Sequence, residues 1–213
     1  MSETKSNANS KKHNIIILYV ILFLSCTTLI VVNYITIRIL SASRAYVNGE
    51  SSYSKGQNKA SRHLITYLYT EDEEHWKLFK EELKIPMGDR LARETLMQNG
   101  NDSIAKIGFR AGRNKEEDLD DLIWVFKNFN SVPFLKKAIN EWANADKLVN
   151  QLLEKGIEIN KRIKTEKLDQ QTKHKITYEI SVLCDNLDTA ADTFSNIVGD
   201  GTREIKDNLI VLK

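Results

Sequence analysis

The chain has 213 residues, 31 of them basic and 29 acidic, with 9 glycines, 2 prolines and 2 cysteines. That length leaves room for one sizeable soluble domain, and Cys26 and Cys184 cannot found a disulfide framework, so both are expected as unpaired, weakly polar thiols. Residues 1–40 carry four basic and one acidic side chain, which leaves 27 and 28 for the rest. Such an even, mixed distribution has no footprint for nucleic acid, and no nucleic-acid partner is expected.

Residues 1–13 are polar and read as a disordered cytoplasmic tail. From Asn14 to Leu40 the text is NIIILYVILFLSCTTLIVVNYITIRIL, uncharged before Arg38. As a helix rising 1.5 Å per residue, Asn14 to Ile37 reaches about 36 Å, enough for a hydrocarbon core of about 30 Å. Residues 14–40 are therefore expected to be a transmembrane helix, with the lipid bilayer as partner. Ser25, Thr27 and Thr28 can bond back to helix carbonyls. A cleaved signal peptide ending near Ser41-Ala42-Ser43 is the competitor, but signal cores run to only about 7–15 residues. Lys5, Lys11 and Lys12 before the run, against Arg38 and Arg44 after it, place residues 41–213 outside by the positive-inside rule. The expected location is the bacterial inner membrane, single-pass, with an extracytoplasmic soluble domain.

Ser41 to Thr70 is expected as a long helix whose stripe is Gly49, Tyr53, Gly56, Ala60, Leu64 and Tyr67. Thr70-Glu71-Asp72-Glu73 reads as a capping box ahead of EHWKLFKEEL, and Asn114-Lys115-Glu116-Glu117 as another ahead of DLDDLIWVFKNF. Ser131 is the expected N-cap of a helix from about Val132 to Thr165, with Pro133 in its first turn. Its seam is Ala138, Trp142, Ala145, Val149, Leu152, Gly156, Ile159 and Ile163, in alternating steps of four and three. A second seam runs Ile176, Ile180, Leu183, Leu187, Ala190, Phe194, Ile197, loosens at Gly199 and Gly201, and resumes at Ile205 and Leu209. No stretch alternates with period two. The fold class is all-α: a membrane-anchored bundle of long antiparallel helices with shorter helices inserted.

Catalytic chemistry finds little footing. His13, His63, His75 and His174 are scattered without metal spacing, and the acidic runs Thr70–Trp76 and Glu116–Asp121 suit helix N-termini. No nucleophile elbow or phosphate loop is present, so no enzyme, metal or cofactor is expected. Lys55, Arg90, Arg93 and Arg110 share a region with Tyr53, Trp76, Trp124 and Trp142, a composition suited to a pocket for a small anionic or aromatic ligand. The competing reading is aromatic core beneath solvated charge. The candidate ligand residues are Tyr53, Lys55, Gln57, Arg90, Arg110 and Trp124.

Three stretches carry a resemblance: GESSYSKGQNKASRHLITYLYT, IPMGDRLARETL and the run from Ile107 to Gly156. They resemble the helical extracytoplasmic sensor region of membrane-bound bacterial diguanylate cyclases and sensor histidine kinases. The shared pattern falls on Gly49, Glu50, Ser54, Lys55 and Gln57, on Pro86, Gly88, Asp89 and Arg90, and on Gly108, Phe109, Ala111, Gly112, Asn114 and Asp118. It continues at Ile123, Trp124, Phe126 and Phe129, and at Ala138, Trp142, Ala145 and Asp146. Tyr53 stands where the family usually has tryptophan, and Arg113 where it has a second glycine. The resemblance implies a second membrane helix after the domain, and EIKDNLIVLK looks like the last turns leading to it. Neither a Gly-Gly-Asp/Glu-Glu-Phe signature nor a kinase ATP lid is present, so the chain is expected to be a truncated product or a stand-alone anchored sensor. The implied function is the input module of a transmembrane signalling protein with a small-molecule stimulus, dimerising across its heptad seams. The alternatives are an anchored scaffold that docks a protein partner, and a bundle of reversed topology.

Overall fold

The structure, a computed structural model, describes residues 3–211, and side chains from His13 to Glu204. Its described elements are all helical: α1 (Glu3–Thr70), α2 (Glu73–Met97), α3 (Asp102–Ala111), one 3-10 turn (Glu116–Asp118), α4 (Leu119–Phe129), α5 (Pro133–Thr165) and α6 (Gln170–Val211). The chain divides into two compact units, Met1–Leu40 and Ser41–Lys213.

In the first unit the apolar run is helical, with its side chains exposed from Asn14 to Tyr34, Phe23 by 69 % and Ile30 by 68 %. Its helix is long and apolar enough to cross a membrane, with a mean hydropathy of 2.9 over a window that is 0 % buried. Ser25, Thr27 and Thr28 donate to the carbonyls of Ile21, Phe23 and Leu24, each at 2.9 Å, as expected. The segment expected as a disordered tail is instead assigned to α1 from Glu3 onward. The side chains of Lys5, Lys11 and Lys12, on which the expected orientation rests, lie outside the described residues.

In the second unit the α5 seam lies as expected. Ala138, Trp142, Ala145, Val149, Leu152, Gly156 and Ile159 are buried, and Ile163 is half-buried in the last turn. On α6, Ile176, Ile180, Leu187, Ala190 and Phe194 are buried, while Leu183 and Ile197 are only half-buried. Val198 takes the place expected for Ile197, at 2 % exposure. A straight helix drifts about 20° per heptad, so a strict seven-residue stripe leaves the interface after a few turns. Ile205 and Leu209 lie outside the described side chains.

Polar pairs join α1 to α6, and their numbers fall along one helix as they rise along the other. Ser195 Oγ donates to Glu50 Oε2 at 2.9 Å. Gln57 Nε2 and Asn58 Nδ2 donate to Asp188 Oδ1 at 3.3 and 3.2 Å. Thr177 Oγ1 lies 3.4 Å from the Tyr69 hydroxyl, and Lys173 Nζ donates to Glu71 Oε1 at 3.3 Å. From Glu50 to Glu71 the chain therefore runs antiparallel to Lys173–Ser195 in one continuous register.

Helix boundaries fall one or two residues from the expected caps. Asp72, not Thr70, caps α2, its side chain accepting from Glu74 N, while Thr70 is still the last residue of α1. Glu71 makes the turn between them at φ 59°. Val132, not Ser131, precedes α5, because a residue before proline is held extended and Val132 sits at φ −65°, ψ 133°. The Asn114 box does not cap α4, since a 3-10 turn intervenes and Asn114 bonds elsewhere. Pro86 lies inside α2 and removes a bond to the Glu82 carbonyl. That carbonyl faces Gly56 of α1, where a Cβ would lie 3.1 Å from it.

Tyr67, Trp76 and Phe79 stack in sequence, with centroids 5.8 and 5.2 Å apart. A Cβ on Gly156 of α5 would lie 2.4 Å from Phe79 Cε1, so only glycine admits the ring. Gly156→Leu is expected to lower unfolding stability by about 1–3 kcal/mol through overpacking. Gly199 meets nothing within 4 Å, so Gly199→Ala should raise stability by about 0.5–1 kcal/mol. Thermal melts followed by circular dichroism check both signs.

Candidate functional site

The best-formed cavity begins with a close approach of α2 and α3. Gly112, after the last residue of α3, faces the Asp89 carboxyl of α2, and a Cβ there would lie 2.0 Å from Asp89 Oδ1. The absent side chain leaves room for the carboxyl to lie buried, at 4 % exposure. Arg113 then turns the chain at φ 62°, a left-handed conformation costly for a residue with a side chain. The turn brings Asn114 back so that its Nδ2 donates both to Asp89 Oδ1, at 2.7 Å, and to the Phe109 carbonyl, at 3.0 Å.

The cavity above Asp89 measures about 40 Å³. Since one water needs about 10–15 Å³ on this scale, it admits a group of a few heavy atoms. Tyr46, Gly49, Glu50 and Tyr53 of α1 form one wall, and Ala190, Ala191 and Phe194 of α6 the opposite one. Phe109 of α3 and Trp142 of α5 close it, with Glu141 half-buried at the rim. Trp142 is the central ring: Tyr46 and Phe194 meet it edge-on at 6.2 and 6.3 Å, and Phe109 at 6.4 Å. No basic side chain lines the cavity among the described residues.

Hydrogen bonds hold its polar groups. Tyr46 donates to the Leu122 carbonyl at 2.9 Å, and Tyr53 donates to Asp146 Oδ1 at 3.2 Å. Arg93 Nε donates to Asp146 Oδ2 at 2.8 Å. Burial raises the Asp146 carboxyl to about 6, although the Arg93 guanidinium and the Tyr53 hydroxyl pull the other way. Asp89 has no such cation. Burial pushes its carboxyl well above the usual carboxylate range, the Asn114 bond only partly offsets this, and nearby Asp146 adds to it. The Glu50 carboxylate is held at the rim by Ser54 at 2.6 Å and by Ser195.

Of the candidate ligand residues, the structure brings Tyr53 alone into the cavity wall. Lys55 points to solvent. Gln57 is buried between α1 and α6, its Oε1 lacking a hydrogen-bond partner. Arg90 bonds Glu94 and Asn150, at 2.7 and 2.6 Å, on the α2–α5 side. Arg110 forms a two-pronged exposed pair with Glu116. Trp124 packs edge-on against Phe129, 5.3 Å away. The candidate ligand residues left out Asp89, Glu50 and Asn114, which line the wall, while Trp142, named among the aromatics of the expected pocket, does line it. Glu50, Asp89 and Asn114 all fall in the pattern that carries the resemblance, and that was the signal in the sequence that pointed to them.

Two histidines that lack any helical spacing also meet: His63 Nδ1 and His75 Nδ1 lie 3.0 Å apart across the α1–α2 turn. No third ligand joins them, and among the described residues no group of three or more metal-ligating side chains occurs. Comparison of the chain with family models, curated proteins and solved structures finds no match.

A carboxyl raised by folding binds more protons in the folded state than in the unfolded one. Its favourable contribution is full below the unfolded value of about 3.9 and is lost as pH rises through the folded value. At pH 7 the Asp89 carboxyl therefore works against the fold. Asp89→Asn, which keeps an acceptor for Asn114, is expected to raise stability at pH 7 by about 1–3 kcal/mol, and the gain should vanish near pH 4. Melting temperatures measured across that pH range check it.

Proposed function

We propose that the chain is the input module of a transmembrane signalling protein, of the kind that drives a diguanylate cyclase or a histidine kinase. The observation that carries this reading is the composition of the cavity wall. Tyr46, Gly49, Glu50 and Tyr53 come from α1, the helix that also contains the apolar run, and Ala190, Ala191 and Phe194 come from α6. A molecule seated between them touches both long helices at once. Signalling then requires that it bind one arrangement of α1 and α6 more tightly than another, since equal affinity shifts nothing. The α1–α6 pairs near the cavity are hydrogen bonds between polar side chains, which can be remade after a slide of about 1–2 Å. Couplings of about 1–3 kcal/mol suffice for such a switch. The resemblance to helical extracytoplasmic sensor regions supports the same reading, with the soluble unit outside the inner membrane and a dimer as the working form.

Two measurements test it. With Cys26 and Cys184 replaced by serine, Lys155→Cys should react with an impermeant maleimide in intact spheroplasts; labelling only after permeabilisation overturns the outside location. Spin labels at Asn48 and Asp192, both exposed, should report an altered α1–α6 distance when a stimulus raises the melting temperature of the full chain in micelles. A broad metabolite library that raises stability without moving that distance would favour the docking scaffold.

A further inference from the structure

We propose that the cavity around Trp142 and Asp89 takes the head of a primary alkylammonium, an organic cation, rather than an anion. The inference names the stimulus class of the site described above, and so rests on the input-module reading. Three independent features of the wall carry it.

The first is the sign of the charge. Glu50 and Glu141 stand at the rim and Asp89 at the floor, and no lysine, arginine or histidine lines the space among the described residues. The arginines expected there are spent elsewhere: Arg93 on Asp146, Arg90 on Glu94 and Asn150, Arg110 on Glu116. An anion entering would pass the carboxylates of Glu50 and Glu141 with no counter-charge on the wall, whereas a cation meets them favourably.

The second is the ring arrangement. Trp142 lies at the centre of Tyr46, Phe109 and Phe194, and indole is the ring that attracts a cation best. Desolvation inside the wall strengthens that attraction.

The third is the floor. Asp89 is 4 % exposed and accepts one hydrogen bond from Asn114, yet lacks the ion pair that a buried carboxylate ordinarily has. An ammonium N–H would supply it, which favours a primary amine over a quaternary one, whose nitrogen donates nothing. A cavity of about 40 Å³ fits the ammonium and its first carbons, and the remainder of the molecule would leave past Glu50 and Glu141.

The proton balance is explicit. Burial favours the neutral carboxyl of Asp89, the amine arrives protonated, and the complex holds carboxylate against ammonium, so wherever Asp89 is protonated beforehand one proton passes to solvent. Affinity then increases with pH by up to tenfold per unit until Asp89 ionises without ligand. The titratable groups nearest Asp89 are Tyr46 and Tyr53 of α1 and Asp146 of α5, with Glu50 and Glu141 on the same wall; the charges of Arg90 and Arg93 act on Asp146, and α6 lines the cavity with no titratable side chain.

Titration of the full chain in micelles with butylammonium, butanoate and butanol, in phosphate buffer at pH 6 and pH 8, tests this. Butylammonium should bind and raise the melting temperature, with a lower dissociation constant at pH 8 than at pH 6, while butanoate should not bind. Asp89→Asn should weaken binding at least tenfold and remove the pH dependence. Glu141→Gln, a half-exposed rim change that leaves the core intact, should weaken it about threefold. Tighter binding of butanoate, or equal binding of butanol, overturns the proposal, as does a pH-independent affinity in the unaltered chain. The α1–α6 distance read on the same samples separates the two inferences. Amine binding without movement sinks the input-module reading and leaves the amine site standing; movement driven by butanoate does the reverse.

Discussion

One stripe of α5 organises the soluble unit. Isolated helices gain little from propensity, so α5 is held by the burial of its seam, which other helices must cover along its whole length. At one end Gly156 admits Phe79 and Trp76 of α2; at the other Trp142 gathers rings from α1, α3 and α6. The cavity exists because small residues, Ala145 on this stripe and Ala190 and Ala191 on α6, stand beside large rings and leave a gap. Packing to full density there would stabilise the bundle and abolish the space.

The floor of that gap carries the opposite of a stabilising device. Close approach through Gly112 and the strained turn at Arg113 are both spent on placing Asn114 and Asp89, and burial then holds the Asp89 carboxyl in a state it would not adopt in water. Cost concentrated at one point of a scaffold marks function more often than folding. The left-handed backbone at Arg113 is one that glycine would adopt without strain, so the turn is a feature this chain retains at a penalty.

The fold was legible because periodicity is local. The α5 stripe, the helix ending at Thr70 and the hydroxyl-to-carbonyl bonds in the apolar run all rest on residues three to seven apart, and each lies as expected. The caps slipped by a residue or two: Asp72 competes with Thr70, which can also accept a cap bond, and backbone restriction before Pro133 puts Val132, which makes no side-chain cap bond, ahead of Ser131. The site was legible only in part. Asp89 meets Asn114 across 25 positions, Tyr53 meets Asp146 across 93, and Glu50 meets Ser195 across 145, separations that no helical period encodes. Basic residues near aromatics in the sequence suggested one pocket, but Lys55 reaches solvent, Arg90, Arg93 and Arg110 pair with carboxylates off the wall, and the wall was left to acids and rings.

The rungs between α1 and α6 differ in kind from the α5 stripe, and that difference sets how the molecule can diverge. A ring in a close-packed seam tolerates few replacements, whereas the partly exposed serine, asparagine and aspartate of the α1–α6 pairs substitute for one another at small cost. Descendants of this chain could therefore retune how readily the outer helices slip, one polar exchange at a time, without disturbing the scaffold that holds them.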